Sequence, residues 1–391
     1  MIALDLSRLL SRAGSAAASG IDRVELAYAR HLAAGRLPPV FAARNVLGGV
    51  GLLPAMEAQA FVAALGRSWH DGATRGERRH LVAQARRLRR AALFGGPALR
   101  RALRVGQEPP VYLVVSHSGL DRGAAIARLK AASGASFVCL IHDLIPLEQP
   151  ALTRPDQVRR HVRRIDTVAR LADAAIVNSA ATGDALRARL GRRNLPIVVA
   201  PLGIDLPDVP PAAAERPYFI VLGRIEPRKN HRLLLEIWMR LAAELGERAP
   251  QLAVIGRRGY RGKAIARELG DLPGFVALHG ELPDRAMGAL LRGARALLLP
   301  SFAEGFGLPV AEALAAGVPV LCSDLPALRE SGGGIPDYLD PADREGWHRA
   351  ILDFAVASSR RDAQLARLEG WRPPGWAAHF AIVARVIASL G

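Results

Sequence analysis

The 391-residue sequence contains few of the features that would indicate a disulfide framework, a metal site or a membrane span. Its two cysteines, Cys139 and Cys322, each sit at or just after an apolar run, which indicates small buried residues of a reducing compartment. Neither a zinc-ligand spacing nor a D-x-D pair for a metal–diphosphate bridge occurs. No apolar run approaches the ~18 residues of a membrane span. Asp5 and Arg8 interrupt the apolar start, so we expect a first strand there and not a signal peptide.

Lysines and aromatic residues are scarce as well. Three of the 53 basic residues are lysines, aromatic residues make up 5% of the chain, and the formal net charge is +17. A nucleic-acid-binding protein would interleave basic and aromatic residues, so we expect no nucleic-acid partner and keep that class only as an alternative. Residues 1–200 hold 30 basic and 14 acidic side chains, against 23 and 22 in residues 201–391. This asymmetry indicates an anionic partner for the N-terminal half.

Short apolar runs alternate with segments of helical period along the chain, a pattern typical of parallel sheets. The expected strands are 2–6, 40–43, 111–115, 137–141, 175–177 and 197–199, then 218–222, 252–255, 275–278, 296–299 and 319–321. A Pro-rich stretch separates the two series. We therefore predict an α/β fold of two Rossmann-like domains, 1–204 and 218–370, joined by a linker over 205–217. Their parallel sheets are expected to face a central cleft.

Two basic helical segments belong to the first half. Residues 67–104 contain eleven arginines, with apolar residues at roughly helical spacing. These apolar residues are Leu81, Val82, Ala85, Leu88, Ala92 and Leu93. The second segment, 155–172, includes Arg159, Arg160, His161, Arg163 and Arg164. A solvated face is the simpler interpretation of either helix alone. Two in one domain favour an anionic membrane surface, which the stripe through Leu81, Leu88 and Leu93 would enter.

Residues 300–324 contain the most specific motif. After the strand 296–299 the chain reads P-S-F-A-E-G-F-G-L-P-V-A-E, with Glu304 at the strand's carboxyl end and Glu312 inside the following helix. Ligands bind at such strand ends, and a helix N-terminus offers N–H donors to a phosphate. Two carboxylates that accept hydroxyl hydrogen bonds, beside these donors, suit a nucleotide sugar. The glycines alone would also fit an ordinary βα turn.

A second motif opens the C-terminal half, V-L-G-R-I-E-P-R-K-N over 221–230. Gly223 allows close approach of a ligand, and Arg224 and Lys229 supply positive charge for a developing diphosphate. Because nearly every other basic residue is arginine, the retained Lys229 indicates a need for a compact ammonium group, with chance retention as the alternative.

These strings resemble the E-x7-E motif and the G-R…K-N diphosphate-binding motif of retaining glycosyltransferases of family 4. These enzymes have the GT-B fold and include bacterial mannosyl- and hexosyltransferases of polysaccharide synthesis. The resemblance implies that Gly223, Arg224 and Lys229 hold the donor's phosphates and that Glu312 binds the ribose. It implies that Glu304 contacts the transferred sugar. The backbone of Phe306, Gly307 and Leu308 would bind sugar hydroxyls and phosphate.

Further donor contacts are implied at two more places. V-I-G-R-R-G-Y, with Gly256 and Arg257, stands where the family contacts the nucleotide, and its G-x-R-G-aromatic form resembles members that use GDP-mannose. The helix that begins near Gly20 corresponds to the family's Gly-rich donor loop.

The acceptor side is implied by the first half. H-D-L-I-P, with His142 and Asp143, resembles the acceptor-domain motif, and Asp143 would orient the imidazole. His117 and Ser179 also follow strands on that side. A structural role is the alternative for either histidine. Residues 371–391 resemble the family's terminal helix, which crosses back to the first domain.

We therefore expect a cytoplasmic enzyme, peripheral at the inner membrane. It would be a retaining, metal-independent transferase that moves a hexose, with mannose favoured, from a nucleotide diphosphate sugar to a saccharide or lipid-linked saccharide. No cofactor is expected. Arg224, Lys229, Glu304 and His142 would carry the catalysis, and the leaving diphosphate would take the acceptor's proton. The alternative within this fold is a non-hydrolysing sugar-nucleotide epimerase.

Overall fold

The computed structural model describes residues 1–35, 39–104, 109–192 and 194–390, so Gly391 of the predicted terminal segment lies outside the described residues. The chain forms two compact units. The N-terminal unit comprises Met1–Glu148, Pro155–Leu202 and Trp376–Gly391, and the C-terminal unit comprises Gln149–Arg154 and Gly203–Gly375. Each is built on a mostly parallel sheet flanked by helices, which confirms the predicted α/β class with two Rossmann-like domains.

The N-terminal unit has a seven-stranded sheet in the order β3-β2-β1-β4-β5-β6-β7. The strands are β1 Ile2–Asp5, β2 Val40–Arg44, β3 Val50–Leu52, β4 Val111–Val114, β5 Ser136–Ile141, β6 Ala174–Val177 and β7 Ile197–Val199. The six predicted strands are confirmed. The missed strand, β3, runs antiparallel to β2 and is centred on Gly51, where a Cβ would lie 2.1 Å from the Ala92 carbonyl oxygen. Because close packing requires glycine in the middle of this three-residue strand, its sequence lacks the apolar run that located the other strands.

The helices of this unit lie on both sides of the sheet. They are α1 Ser7–Arg12, α2 Gly20–Ala33, α3 Ala55–Asp71, α4 Arg75–Phe94, α5 Gly96–Arg104, α6 Gly123–Ser133, α7 Ile145–Glu148, α8 Pro155–Leu171 and α9 Ala180–Leu190. The basic region is helical as predicted. The proposed entry of its apolar stripe into a membrane is wrong, because Leu81 and Leu88 are 3% and 1% exposed. They are buried where α4 packs against α1, α3 and β3, and Leu93 is half-buried.

The C-terminal unit has a six-stranded parallel sheet in the order β10-β9-β8-β11-β12-β13. Its strands are β8 Tyr218–Leu222, β9 Gln251–Ile255, β10 Val276–Gly280, β11 Leu297–Leu299, β12 Val320–Ser323 and β13 Asp337–Leu339. The five predicted strands are present, and the short β13 was missed because it is three residues long and half-buried. The helices are α10 His231–Leu245, α11 Gly262–Gly270, α12 Asp284–Gly293, α13 Leu308–Ala315, α14 Pro326–Gly332, α15 Arg344–Ala355 and α16 Ser359–Leu368.

Residues 205–214, within the predicted linker, form neither helix nor strand. The last helix, α17 Trp376–Ala388, belongs to the N-terminal unit. There its His379 hydrogen-bonds Tyr28 Oη at 2.7 Å. Both cysteines are buried free thiols, as expected.

The strand order of each sheet determines where a site can form. The chain starts in the middle of each sheet, proceeds outward on one side, and then continues on the other side of the first strand. The switch points are therefore at β1 and β4 in the N-terminal unit and at β8 and β11 in the C-terminal unit. Crevices at the carboxyl ends of such strands are the usual ligand sites of open α/β sheets.

Candidate functional site

In the C-terminal unit, two glycines bring the loops after β8 and β9 into contact. Gly223 and Gly256 have φ values of 137° and 147°, a region that side chains disfavour. A Cβ on Gly256 would lie 1.9 Å from the Gly223 carbonyl oxygen. The Ile225 N–H donates to the Arg257 carbonyl at 3.1 Å, which joins the two loops beyond the glycines. The motif residues Gly223 and Gly256 are thus required by backbone packing whether or not a ligand is bound.

A charged cluster follows β8 and β11, and we define it as Glu226, Arg228, Lys229 and Glu304. Lys229 Nζ lies 2.5 Å from Glu304 Oε1, and Arg228 Nη1 lies 3.2 Å from Glu304 Oε2. Arg228 also bonds Glu226 Oε1 at 3.0 Å and the Ala303 carbonyl at 2.7 Å. The structure therefore joins the two predicted motifs directly, through Lys229 and Glu304.

Sequence reasoning missed Arg228, because it occupies a variable position of the motif, between Arg224 and Lys229. The predicted residue Arg224 is exposed at the start of the same loop. The first residue of α10, His231, is also buried, and burial together with Lys229 lowers its pKa to about 4. It is therefore neutral beside the lysine.

The electrostatics of Glu304 follow from this packing. Burial by itself would raise its pKa, but Lys229 and Arg228 outweigh that effect and hold the pKa at about 2. Burial lowers the pKa of Lys229, and Glu304 opposes that change. Glu304 is consequently an anion at physiological pH. It can accept hydroxyl hydrogen bonds and stabilise positive charge, but it has no proton to give.

The N-terminus of α13 lies immediately after Glu304. Gly307 has φ 90°, and a Cβ there would lie 2.4 Å from Leu328 Cδ2 and 2.9 Å from Ser331 Oγ, so the sharp entry into the helix needs glycine. Phe306 is buried, Leu308 is half-buried, and Glu312 is 8% exposed within the helix. The predicted carboxylate pair therefore flanks the first turn of one helix, as the spacing indicated.

Arg257 has a different environment from Lys229. Its Nε lies 3.7 Å from Glu281 Oε1, in the loop after β10, and both side chains are partly exposed. It is thus placed on the β9–β10 side of the unit, where the resemblance puts the nucleotide.

In the N-terminal unit, the carboxyl ends of β4, β5 and β6 meet through hydrogen bonds. The His142 N–H donates to His117 Nε2 at 3.1 Å, His142 Nε2 bonds the Val115 carbonyl at 2.8 Å, and Asn178 Nδ2 donates to the His142 carbonyl at 3.1 Å. His117 must therefore be neutral with its proton on Nδ1. Because His142 uses Nε2–H, its Nδ1 holds a lone pair.

A third histidine completes this group, and we call His117, His142 and His161 the histidine cluster. The His117 ring centre lies 5.3 Å from that of His142 and 5.1 Å from that of His161. His161 is fully buried, and neither of its ring nitrogens has a hydrogen-bond partner among the described residues. Its expected place on the surface of a basic helix, whether that surface is solvated or binds an anionic partner, is therefore wrong. Its spacing from Ile165 and Val168 on α8 was the signal, since it extends that buried stripe.

Burial keeps the histidine cluster uncharged. It lowers the pKa of His142 to about 4, that of His161 to about 4, and that of His117 well below its usual 6.5. Neutral imidazoles offer one donor and one acceptor each, which suits the positioning of hydroxyl groups.

The remaining predicted residues of this unit have structural partners. Asp143 Oδ1 accepts the Ile145 N–H at 3.2 Å, and the Val115 carbonyl bonds Nε2 of the His142 ring. Asp143 also raises the pKa of His142, against the larger effect of burial, so its expected role beside this imidazole stays a prediction. Ser179 caps α9 by accepting the Thr182 N–H at 3.1 Å. Gly20 is the first residue of α2, after the Ser19 cap.

One buried carboxyl near β1 and β4 was not anticipated. Glu25 of α2 is fully buried, and its Oε1 accepts the Leu9 N–H at 3.0 Å. Burial raises its pKa to about 8. It therefore carries a proton at neutral pH, unlike Glu304.

Solved structures with the GT-B fold share this architecture. Sucrose-phosphate synthase from Thermosynechococcus elongatus superimposes with a TM-score of 0.67 at 16% identity, covering 100% of this chain and 98% of that chain. HepE of Anabaena, in complex with UDP-glucose, gives a TM-score of 0.65 at 13% identity, covering 99% of each. The fold is thus that of GT-B glycosyltransferases.

Two family models match as well, "Glycosyltransferase Family 4" over residues 51–208 and "Glycosyl transferases group 1" over residues 216–355, and together they cover more than half of the chain. The chain belongs to the family 4 and group 1 glycosyltransferases, which confirms the predicted family.

Two curated mannosyltransferases match over shorter stretches. O-antigen chain mannosyltransferase B of Escherichia coli is 37% identical over 152 residues, 38% of this chain and 40% of that protein. O-antigen chain mannosyltransferase RfbU of Salmonella typhimurium is 32% identical over 164 residues, 39% of this chain and 43% of that protein. The alignments thus span less than half the length of either relative.

Two features are absent from the part of the chain that the structure describes. No helix there is both long and apolar enough to cross a membrane. No group of three or more His, Cys, Asp or Glu side chains there is arranged to hold a metal ion.

Proposed function

We propose that the protein is a retaining hexosyltransferase that moves a hexose from a nucleotide diphosphate sugar to a saccharide acceptor in surface polysaccharide synthesis. The observation that carries this proposal is the anionic Glu304 between Lys229 and Arg228, directly before the N-terminus of α13. A permanent carboxylate is suited to the positive charge that develops at an anomeric carbon. The nearby helix N-terminus is suited to the departing phosphate.

The formal charges of the charged cluster cancel, which bears on how a diphosphate would bind. Glu226 and Glu304 offset Arg228 and Lys229 in the present structure. The additional positive charge that a diphosphate needs would therefore come from Arg224, which is exposed on the same loop, and from the first turn of α13. Lys229 would act as a fixed ammonium group between Glu304 and the diphosphate.

In the proposed reaction, the bond from the anomeric carbon to the diphosphate oxygen breaks while the acceptor oxygen bonds to the same face of that carbon. The acceptor's proton passes to the departing diphosphate, so no separate general base is needed. Glu304 stays ionised throughout, as its low pKa requires. The neutral His142 would hold an acceptor or sugar hydroxyl through Nδ1.

The identity of the donor rests on the relatives. The relatives from Escherichia coli and Salmonella typhimurium are named mannosyltransferases, which favours mannose, with GDP-mannose as the donor. HepE structures contain UDP and UDP-glucose, which supports a nucleotide diphosphate sugar in general. The acceptor would be a saccharide, with lipid-linked saccharides as the class that brings the enzyme to the cytoplasmic face of the inner membrane.

A donor panel tests this function. Purified protein would be incubated with UDP- and GDP-sugars, with and without saccharide acceptors, and the anomeric configuration of the product would be read by NMR. We expect acceptor-dependent release of the nucleoside diphosphate and a product that retains the donor's configuration. Inversion would contradict the mechanism. Conversion of the donor without an acceptor would instead indicate the epimerase.

Metal independence is part of the proposal, because the sequence lacks a D-x-D pair and supplies basic residues at the diphosphate. Excess EDTA should leave the transfer rate nearly unchanged. Loss of activity that Mg²⁺ or Mn²⁺ restores would show that the basic residues are insufficient.

A further inference from the structure

Three large apolar side chains of the N-terminal unit project into solvent from two adjoining segments. Val46 and Leu47, in the turn between β2 and β3, are 85% and 80% exposed, and Phe94, the last residue of α4, is 84% exposed. We call these three residues the apolar tip. Apolar residues that are exposed singly are common on protein surfaces, but exposed apolar residues that are grouped and rimmed by polar residues mark interaction sites.

The turn and the helix end are held together by direct contacts. Asn45 Nδ2 donates to the Ala92 carbonyl at 3.0 Å, and the Leu52 N–H donates to the Gly95 carbonyl at 3.0 Å. Asn45 Oδ1 also accepts the Gly49 N–H at 2.9 Å, which closes the turn. Hydrogen bonds therefore fix the turn that carries Val46 and Leu47 against the end of the helix that carries Phe94.

Positive charge surrounds the apolar tip. Arg90 precedes Phe94 by four residues, so both lie on one side of α4. Arg86, Arg87, Arg89 and Arg90 are all exposed, and Arg128 of α6 donates to the Gly48 carbonyl in the turn itself. Across α4 and α5 the sequence holds one acidic residue, Glu77, which is engaged in the cap at the far end of α4. The arginines near the tip thus face no acidic residue on these two helices.

We propose that the apolar tip inserts into the headgroup region of an anionic bilayer while the surrounding arginines bind lipid phosphates. Three side chains are too few for the ~800 Å² that each partner of a stable protein complex contributes, and the sparse aromatic residues disfavour single-stranded nucleic acid. Apolar residues ringed by arginine match the interface of an anionic membrane. The inference rests on the proposed function for its purpose, since it would bring the enzyme to a lipid-linked acceptor.

Vesicle co-sedimentation tests the proposal, with phosphatidylcholine vesicles that do or do not contain phosphatidylglycerol. The triple variant Val46→Ser, Leu47→Ser, Phe94→Ser should lose about tenfold in partitioning onto the anionic vesicles. Changing Arg86, Arg87, Arg89 and Arg90 to Gln should lose about fivefold for each arginine that touches the membrane, and should weaken the salt dependence. The matched control is Met239→Ser, Val356→Ser, two residues of the C-terminal unit that are 54% and 61% exposed. It should bind as the unchanged protein does.

Insertion is tested separately by fluorescence. Phe94→Trp should be quenched by brominated lipids in anionic vesicles, whereas Val356→Trp should show only the quenching of the native tryptophans. Equal quenching of the two variants, or wild-type binding by the triple variant, would overturn the proposal. Self-association that the triple variant abolishes while vesicle binding stays intact would assign the tip to a protein contact and overturn it as well.

Transfer to a soluble saccharide without vesicles separates this inference from the proposed function. The triple variant should retain that activity, because the apolar tip lies outside the charged and histidine clusters. If the wild-type protein binds vesicles but transfers no sugar, the proposed transferase function is contradicted and the membrane inference is not.

Discussion

The charged cluster and the histidine cluster occupy equivalent places in their respective units. Burial has opposite outcomes in the two, because the groups of the first are charged and those of the second are neutral. Both lie at carboxyl ends of parallel strands, next to the switch point of a sheet. Glu304 stays ionised because two cations lie within hydrogen-bonding or ion-pairing distance. The histidines stay neutral because burial, the largest effect on each of them, lowers their pKa values.

This difference separates two kinds of chemistry. A paired ionic site is suited to a substrate that carries and releases charge, such as a nucleoside diphosphate. A neutral site of donors and acceptors is suited to hydroxyl groups, which it can orient without changing their charge. The division supports the proposed assignment of the donor to the C-terminal unit and of the acceptor to the N-terminal unit.

The largest effect is expected in the charged cluster. Glu304→Gln and Lys229→Met should each lower the transfer rate by ~10²–10³, because each removes a charge that acts on the transition state. The two changes combined should cost much less than the product of the single effects, since the residues act as a pair. Rates would be measured on proteins whose folding is verified by circular dichroism.

The control for these variants is Glu369→Gln, which changes an exposed carboxylate of the same unit. It should leave the rate unchanged. Near-normal turnover by a folded Glu304→Gln protein would remove the mechanism proposed for this cluster and, with it, the contrast between the two units.

A smaller effect is expected in the histidine cluster. His142→Ala should lower the rate about tenfold or more, mainly through a higher KM for the acceptor, because a positioned hydroxyl partner is lost while the donor contacts remain. His161→Leu should act in the same direction but more weakly, through its contact with His117. The exposed His80→Gln is the control. An unchanged acceptor KM in His142→Ala would contradict the acceptor assignment.

Much of this arrangement could be predicted from local sequence. Apolar runs located eleven of the strands, and the spacing of Glu304 and Glu312 located the most specific motif. The residues that were missed meet their partners through distant contacts. Arg228 reaches Glu304 76 positions along the chain, and His161 enters from a helix that reads as a basic surface. No local pattern encodes such a pairing.

The stripe on α4 shows a second limit of sequence reasoning. A buried helix face and a membrane-binding face have the same periodicity, so Leu81 and Leu88 fitted both interpretations. In the structure both leucines are buried in the protein core. The exposed apolar residues, Val46, Leu47 and Phe94, lie in a turn and at a helix end, where periodicity gives no signal.

The comparison also predicts two opposite pH dependences of stability within the N-terminal unit. The histidine cluster has folded-state pKa values below the usual 6.5, so the unfolded chain binds more protons between about 4 and 6.5, and stability falls as the pH drops through that window. Glu25 has a folded-state pKa of about 8, above its usual 4.5, so its contribution is full below about 4.5 and is lost as the pH rises through 8.

The smallest effect is therefore a change in the shape of the stability curve, and it should appear in Glu25→Gln. Gln keeps an acceptor for the Leu9 N–H but cannot ionise. Thermal unfolding should show a Tm close to that of the unchanged protein at pH 5 and a Tm several degrees higher at pH 9, where the buried carboxylate destabilises the native protein. Glu57→Gln, an exposed change in α3, should leave the curve unaltered. If Glu25→Gln and the unchanged protein instead follow parallel stability curves from pH 5 to pH 9, Glu25 is already ionised in the folded protein at pH 5. Burial would then keep the histidines uncharged but would not keep Glu25 protonated.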